Sequence, residues 1–446
     1  LFWAGTSAAG FLTWGTSMTW ASFTMPVFLL AQSAMSLDDC IRLAYKQNPA
    51  VRNGVIGIKE TKVDYIASVG AFLPHIVVNA ETGKRFGRSL DPDTNGYTSE
   101  SFEEGTVGLD MTLSLFEGFS RINQVRFRKM NKERSEWELK EKQNELAYQV
   151  TDAYYKLILE RKLLDLALEQ SRLSERYLKQ TEVFVELGLK SASDLQEVKA
   201  RREGDIYRYQ SRENSSRIAL LHLKQLMNIQ PGDTLAILDT ITASQLPPYS
   251  VSTVETLYAQ SIEILPSIRM IDLKQKAAHK EYAIAGGAFS PSVFARFTVG
   301  SNYYNTAFSA RQLRDNIGKY VGVGISFPLL SGLQRLTNQR KLKLNMYRLK
   351  NEEELEKQQL YTDIEQTLLS LHTGYSEHQQ ALSQLDAETL VLKESERKWE
   401  EGLISVFQLM EARNRFIAAK AELVRVRLQI EMMMKLEKYY RQGTFL

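Results

Sequence analysis

Five histidines, His75, His222, His279, His372 and His378, are the side chains best suited to bind a metal or move a proton, and they are scattered along the chain. None stands in a ligand spacing such as H-E-x-x-H. The one cysteine, Cys40, allows neither a disulfide within the chain nor a thiolate metal site. No serine or cysteine lies in a nucleophile elbow. Gly286-Gly287 precedes a strand-like run rather than a helix, so it is no phosphate cradle. These patterns point to no catalytic residue, no metal and no cofactor. The formal net charge is +3 with no clustered basic face, which gives no reason to expect a nucleic-acid partner. The charges with a readable setting are Asp110 and Arg296, each on the polar side of an alternating run.

In Thr106 to Leu115 every odd position is apolar (Val107, Leu109, Met111, Leu113, Leu115) and every even one polar or small. Val321-Gly322-Val323-Gly324-Ile325-Ser326-Phe327 alternates in the same way, as does Val293, Ala295, Phe297 and Val299 against Arg296, Thr298 and Gly300. Ile76, Val78 and Ala80 form a fourth run that Val77 interrupts. Period-two alternation marks strands with one apolar face. About ten residues is the length of a tilted membrane-spanning strand, with Asp110 and Arg296 facing a wet interior. Tyr303, Tyr304 and Tyr320 flank the runs as an interfacial aromatic girdle would.

The elements that must position these strands are helical. Proline breaks a helix interior, and none lies between Pro92 and Pro231 or after Pro328. Both gaps are rich in helix formers. Each is punctuated by a Gly-Leu-x-Ser, at Gly188 to Ser191 and at Gly402 to Ser405. Glycine ends one helix and serine caps the next, so each gap reads as a hairpin. The arm from Phe119 to Leu187 would run roughly 100 Å, against a mean helix of about 11–12 residues. Leu409, Ala412, Phe416, Ala419, Leu423, Val426, Ile430 and Met433 form a heptad stripe. Leu146, Val150, Ala153, Leu157, Leu164 and Leu168 form another, with one turn missing.

The chain is two copies of one unit. Gly70-Ala71-Phe72-Leu73-Pro74 recurs as Gly287-Ala288-Phe289-Ser290-Pro291, an offset of 217 residues. Leu115-Phe116-Glu117-Gly118-Phe119-Ser120-Arg121 recurs as Leu329-Leu330-Ser331-Gly332-Leu333-Gln334-Arg335, an offset of 214, as do the two tips. The first copy spans residues 35–228, with strands near 72–82 and 106–115 and a tip near 188–191. A linker occupies 229–265. The second copy spans 266–446, with strands near 292–303 and 320–328 and a tip near 402–405. Four strands cannot close a barrel, since the smallest membrane barrels have about eight, and lipid tolerates no open edge. Three chains would supply about twelve strands, so the expected fold is an α+β membrane protein with a homotrimeric barrel.

Ser36-Leu37-x-x-x-Ile41-x-x-Ala44-x-x-x-Asn48-Pro49 and the paired tips, followed by Asp194-Leu195-Gln196-Glu197 and Gln408-Leu409-Met410-Glu411, resemble TolC-like outer membrane factors from residue 36 to about 440. The resemblance implies a twelve-stranded barrel in outer-membrane lipid, a long periplasmic α-barrel and an equatorial domain that the linker would match. It implies an exit duct of a tripartite efflux pump or a type I secretion system in a Gram-negative outer membrane. The duct would be fed by a periplasmic adaptor and an inner-membrane pump of RND, ABC or MFS type, which would supply the energy. Carried over, Gly188, Leu189, Ser191, Gly402, Leu403 and Ser405 would dock the adaptor, though the same residues suit helix capping. Asp194, Glu197, Gln408 and Glu411 would ring the periplasmic aperture. Gln408 departs from the family's acidic pattern, and Glu411 has Arg413 and Arg415 as alternative partners.

Residues 1–34 carry no charge and hold Trp3, Trp14 and Trp20. The run Met25 to Ala34 resembles the apolar core and cleavage site of a secretory signal, so this segment reads as leader-like or foreign. The competing reading of the whole chain is a soluble coiled-coil scaffold, with its strands as ordinary hairpins.

Overall fold

A computed structural model describes residues 34–90, 95–99, 101–239, 245–246, 252–305, 308, 310–330 and 332–446. The leader-like reading of residues 1–33 and part of the linker lie outside the described residues. Each copy begins with two short helices, α1 (Leu37–Gln47) and α2 (Pro49–Gly70) in the first. The residue before proline is driven into extended backbone, and Asn48 takes that conformation at φ −66° and ψ 128° while its side chain caps Ala50 N. Proline then opens α2 at a position that needs no hydrogen bond.

The first copy continues through β1 (His75–Arg85), the two-residue strands β2 (Ser89–Leu90) and β3 (Tyr97–Thr98), and β4 (Phe102–Glu117). The hairpin follows as α3 (Ser120–Glu186) and α4 (Ala192–Leu226). The second copy repeats the plan as α5 (Val254–Ile264), α6 (Pro266–Gly287), β5 (Ser292–Asn305), a short α7 (Ala310–Asp315), β6 (Gly318–Ser326), α8 (Gln334–Glu400) and α9 (Val406–Gln442). It therefore starts at α5, inside the stretch 229–265 read as linker, and not at residue 266, because Pro266 opens the second of its two short helices as Pro49 does in the first. The duplication is quantitative: α1 and α5 have 11 residues each, α2 and α6 have 22, and α3 and α8 have 67.

The strands form one antiparallel sheet in the order β1-β4-β5-β6. β1 and β4 extend past the alternating runs because pairing continues through polar residues, with Arg85 and Glu104 joined at 2.8 Å. β6 stops at Ser326, short of Phe327 and Pro328, since proline has no N–H for the ladder. Strand parity gives the sheet two chemistries. Val107, Leu109, Met111, Phe297, Val299, Val321 and Val323 share one face. Asp110, Thr112, Arg296 and Thr298 share the other, and Val77 lies opposite Asp110 on that polar face.

Each sheet-to-helix junction turns on a glycine and its neighbour in left-handed conformation. Gly118 and Phe119 have φ 59° and 62°, and Gly332 and Leu333 have φ 57° and 65°. A side chain at Gly118 would strike the backbone of Gly287 at 2.5 Å, so the first copy's junction seats tightly on the end of α6. The equivalent positions Gly332 and Gly70 have nothing within 4 Å in one chain.

Apolar packing concentrates at two heights. At mid-length, α1 and α5 buttress the long helices through Ile41, Leu157, Leu223 and Leu257, Ile364, Ile430 respectively. Near the tips, Val198, Trp399, Leu409 and Met410 close a smaller core. The heptad stripe of α9 is buried at Leu409, Ala412, Ala419, Leu423, Val426 and Ile430. The stripe proposed for α3 holds at Leu146, Val150, Ala153 and Leu157, but Leu164 and Leu168 are only half-buried. Beyond them the buried positions are Ala167, Gln170, Ser174, Tyr177 and Thr181, still at heptad spacing. The lower seam is therefore polar. Asp205 of α4, fully buried, accepts from Gln170 Nε2 at 2.9 Å and from the Ser174 hydroxyl.

The linker is stapled to this frame. Lys224, buried, donates to the carbonyls of Pro231 and Asp233 at 3.0 and 2.5 Å, Lys162 pairs with Asp239 at 2.6 Å, and Arg427 donates to Gln245 O at 2.9 Å. Met35 bridges to Ile237 and ties the start of the first copy to it.

Replacing Asp205 with alanine would strand the Gln170 amide and free Arg208, its partner at 3.3 Å, while the Ser174 hydroxyl keeps Gln170 O at 3.1 Å. One unsatisfied amide costs roughly 1–3 kcal/mol. Amide exchange across residues 170–181 should accelerate in this variant while the mid-length core keeps its protection. Unchanged exchange there would mean that the carboxylate does not organise the seam.

Candidate functional site

The two tips are built alike. At the end of α3, Gly188 takes φ 69°, its N–H reaching Val185 O at 3.0 Å while Leu189 N reaches Phe184 O at 2.8 Å. At the end of α8, Gly402 takes φ 75°, bonding Trp399 O at 3.0 Å, with Leu403 N on Lys398 O at 2.8 Å. Only glycine enters this conformation without a steric penalty. The return helices open with reciprocal capping boxes. Asp194 N donates to Ser191 Oγ at 3.1 Å, and the Asp194 carboxylate accepts from Ser191 N at 3.0 Å. Gln408 and Ser405 repeat this at 3.3 and 3.0 Å. The turns hold Leu189 and Leu403 in solvent, 66% and 69% exposed, with Leu187 and Phe407 beside them.

Of the four aperture candidates, Asp194 and Gln408 are turned back as caps, while Glu197 and Glu411 meet in one groove. The groove runs between α4 and α9, has a volume of about 430 Å³, and is lined by Glu197, Arg201, Arg208, Phe407, Met410 and Glu411. The alternative partners of Glu411 are engaged elsewhere: Arg415 pairs with Glu388 at 3.6 Å, and Arg413 is buried. Arg413 donates to Gln170 O at 3.3 Å and lies over the Tyr177 ring at 5.5 Å. Burial pushes its pKa down from the usual guanidinium value. Trp399 of α8 packs edge-on against Tyr177 of α3 at 5.2 Å and near Phe184 at 5.9 Å. Tyr177 thus ties the first hairpin to the second through an indole and a guanidinium. Sequence reading missed this group, because Gln170, Ser174 and Asp205 look like surface residues; the heptad spacing of Gln170, Ser174, Tyr177 and Thr181 was the available signal.

Asp110 and Arg296 lie far from the tips, on the same polar face of the sheet and on neighbouring rows. Asp110 is held sideways by Thr298 Oγ1 at 2.9 Å and Asn79 Nδ2 at 3.2 Å. Arg296 is exposed and stands over the Phe294 ring at 5.8 Å, which in turn covers Gly324. Among the described residues no group of His, Cys, Asp and Glu could hold a metal ion, and no helix is long and apolar enough to cross a membrane.

The family model for the outer membrane efflux protein matches residues 40–228 and 257–432, one block in each copy. The chain belongs to the outer membrane efflux protein family. Members are transport proteins, and this one is an efflux protein of the outer membrane. The fold is shared with solved channels at low identity. The Campylobacter jejuni CmeC outer membrane channel aligns at TM-score 0.81 and 14% identity, over 91% of this chain and 85% of that one. The Vibrio cholerae outer membrane protein VceC aligns at 0.77 and 14%, over 92% and 97%. The open state of the Neisseria gonorrhoeae MtrE outer membrane channel aligns at 0.74 and 16%, over 92% and 89%. No curated protein sequence matches the chain.

The two caps of this efflux protein differ in one titratable group. Hydrogen bonds from the Ser191 backbone and hydroxyl hold the Asp194 carboxyl below its usual value of 3.8. A depressed pKa contributes stability that is present above the unfolded value and lost as pH falls through the folded one. Acidification below pH 3.8 should therefore loosen the first tip and spare the second, where Gln408 does not titrate. Amide exchange at residues 191–195 against 405–409 reads this directly, and equal loosening of both tips would contradict it.

Proposed function

We propose that three copies of the chain close a twelve-stranded barrel in the outer membrane and a helical tube beneath it. This duct passively conducts solutes handed over by a periplasmic adaptor and an inner-membrane pump, in a tripartite efflux or type I secretion assembly. The observation that carries this reading is the register of the sheet. The repeat offsets of 217 for the first strand and 214 for the second carry the pair His75 and Thr112 onto Ser292 and Ser326, and those residues are paired. The same offsets carry the pair Leu109 and Val299 of β4 and β5 onto Val323 of β6 and Thr82 of a second copy's β1. The edges of β6 and β1, unpaired in one chain, are thereby complementary. The vacant surroundings of Gly332 and Gly70 fit the same step, since Gly118 and Gly287 are their packed counterparts.

Three such steps return to the start with no free edge, which lipid requires. The apolar face then meets lipid, and the face carrying Asp110 and Arg296 lines the lumen. The tips, at the opposite end, present Leu189 and Leu403 to the adaptor from rigid glycine turns. Glu197 and Glu411 lie in the groove behind them and supply the carboxylates of the periplasmic aperture, while Asp194 and Gln408 stay engaged as caps.

Cysteines at Thr82 and Val323 should cross-link purified protein into dimers and trimers, whereas Gly83 with Val323, one residue out of register, should not. Native Cys40 is fully buried and its thiol is pushed up to about 12, so it does not compete. Monomer alone from the Thr82 and Val323 pair would remove the closed barrel.

Leu189→Asp with Leu403→Asp changes exposed side chains, so fold and trimer should survive while efflux of a dye falls to the level of cells lacking the channel. Normal efflux would remove tip docking.

A further inference from the structure

The apolar face of the sheet does not end in apolar residues. Along β6 it runs Ile325, Val323, Val321 and then Lys319, the last position before the loop and exposed like the others. The long helices leave the sheet at its other end, so in the proposed barrel Lys319 lies toward the cell exterior. α7 follows the same edge. Ser301, on the apolar face of β5, donates its hydroxyl to Leu313 O. Tyr304 N bonds Gln312 Oε1 at 3.0 Å, and Asn316 Nδ2 bonds Asn302 O at 2.9 Å. These contacts lay the helix along the upper end of β5, next to Lys319. Arg311 and Arg314 of α7 are exposed, with Phe308 and Ile317 exposed on either side. Two acids lie on this edge: Asp315 is paired with Arg314 at 3.1 Å and is the one acid set against the patch, while Glu103 lies opposite Lys84 in the register.

We propose that Arg311, Arg314 and Lys319 form a binding site for the phosphate of an outer-leaflet lipid, one per protomer, with Phe308 and Ile317 entering the acyl border. The inference rests on the barrel reading above, which turns this face to lipid. A cation where an apolar belt ends sits at headgroup depth, and Lys and Arg reach such a level with their stems along apolar surface. Three cations against one acid select an anionic headgroup over a zwitterionic one, each cation contributing about 1 kcal/mol near an anionic surface. Guanidinium suits phosphate through paired donors. The patch is continuous with Val321 and Val323, 78% and 68% exposed in one chain, which is why a lipid fits it better than a soluble anion.

The test uses the purified trimer in a neutral detergent, titrated separately with diphosphorylated lipid A, with phosphatidylcholine and with inorganic phosphate, and followed by thermal unfolding. Lipid A should raise the unfolding temperature saturably. The combined variant Arg311→Gln, Arg314→Gln and Lys319→Gln should weaken that response about tenfold or more. The other two additives should have little effect. The proposal is overturned if the variant responds like the parent, if phosphatidylcholine is as effective, or if inorganic phosphate at equal concentration is. All three side chains are exposed, and a native gel confirms that the variant assembles. A parent protein that never forms trimers would instead remove the barrel reading, an outcome the same gel separates from loss of lipid binding.

Discussion

A β-strand edge is a row of backbone donors and acceptors that must find partners, and in lipid no water can supply them. The sheet of this protein has such an edge on β1 and another on β6. In the proposed trimer, most of what is regular in the molecule answers to that constraint. There, two copies of one unit would let a single pairing geometry serve within the chain and between chains. The equal 67-residue helices fit the same proposal, since a tube below would close wherever the barrel does. The Gly118 and Gly332 junctions, each followed by a left-handed Phe or Leu, turn the chain from sheet into helix with the same geometry in both copies.

The helical part is held by different physics at different heights. At mid-length and at the tips the packing is apolar and dense. Between them the seam of the first hairpin is polar, with a buried carboxylate satisfied by an amide, a hydroxyl and the Arg208 guanidinium at 3.3 Å. Such a seam is specific in register and costs free energy when a partner is lost. The link between hairpins shares this character. Arg413 is buried with Nη1 unpartnered, and Trp399 has its indole N–H unpartnered. Burying a guanidinium with incomplete hydrogen bonding contributes little net stability. What the pair contributes is position near the tips, where α8 and α9 meet α3 through these few groups; at mid-length Leu428 and Met432 of α9 join the apolar core that holds α3.

The tips join rigidity to exposure. Capping boxes and left-handed glycines fix the backbone, so the mostly exposed Leu189 and Leu403 are held in one place. Asp194 and Gln408 serve as caps first, because a side chain three residues beyond a serine cap is drawn to the free backbone N–H there. Glu197 and Glu411, one turn further on, keep their carboxylates on the groove.

Much of this was legible in the amino-acid sequence. Proline positions, glycine punctuation, period-two runs and the repeated motifs established two long hairpins, four strands and an internal duplication, because each is a local consequence of backbone chemistry. The upper stripe of α3, Leu146 to Leu157, was readable for the same reason. Its continuation through Gln170, Ser174 and Thr181 was not, since a polar residue at a core position is recognisable only once its partner is seen, and Asp205 lies 31 and 35 residues away. Nor could spacing separate the capping Asp194 and Gln408 from the groove-lining Glu197 and Glu411, or join Tyr177 to Arg413. Those depend on which distant residues the fold brings within hydrogen-bond reach. The sequence alone determined the long helices, the four main strands and the repeated motifs, because these are local consequences of backbone chemistry; tertiary structure decided which polar side chains are satisfied inside the chain and which stay exposed, because that depends on residues distant in sequence.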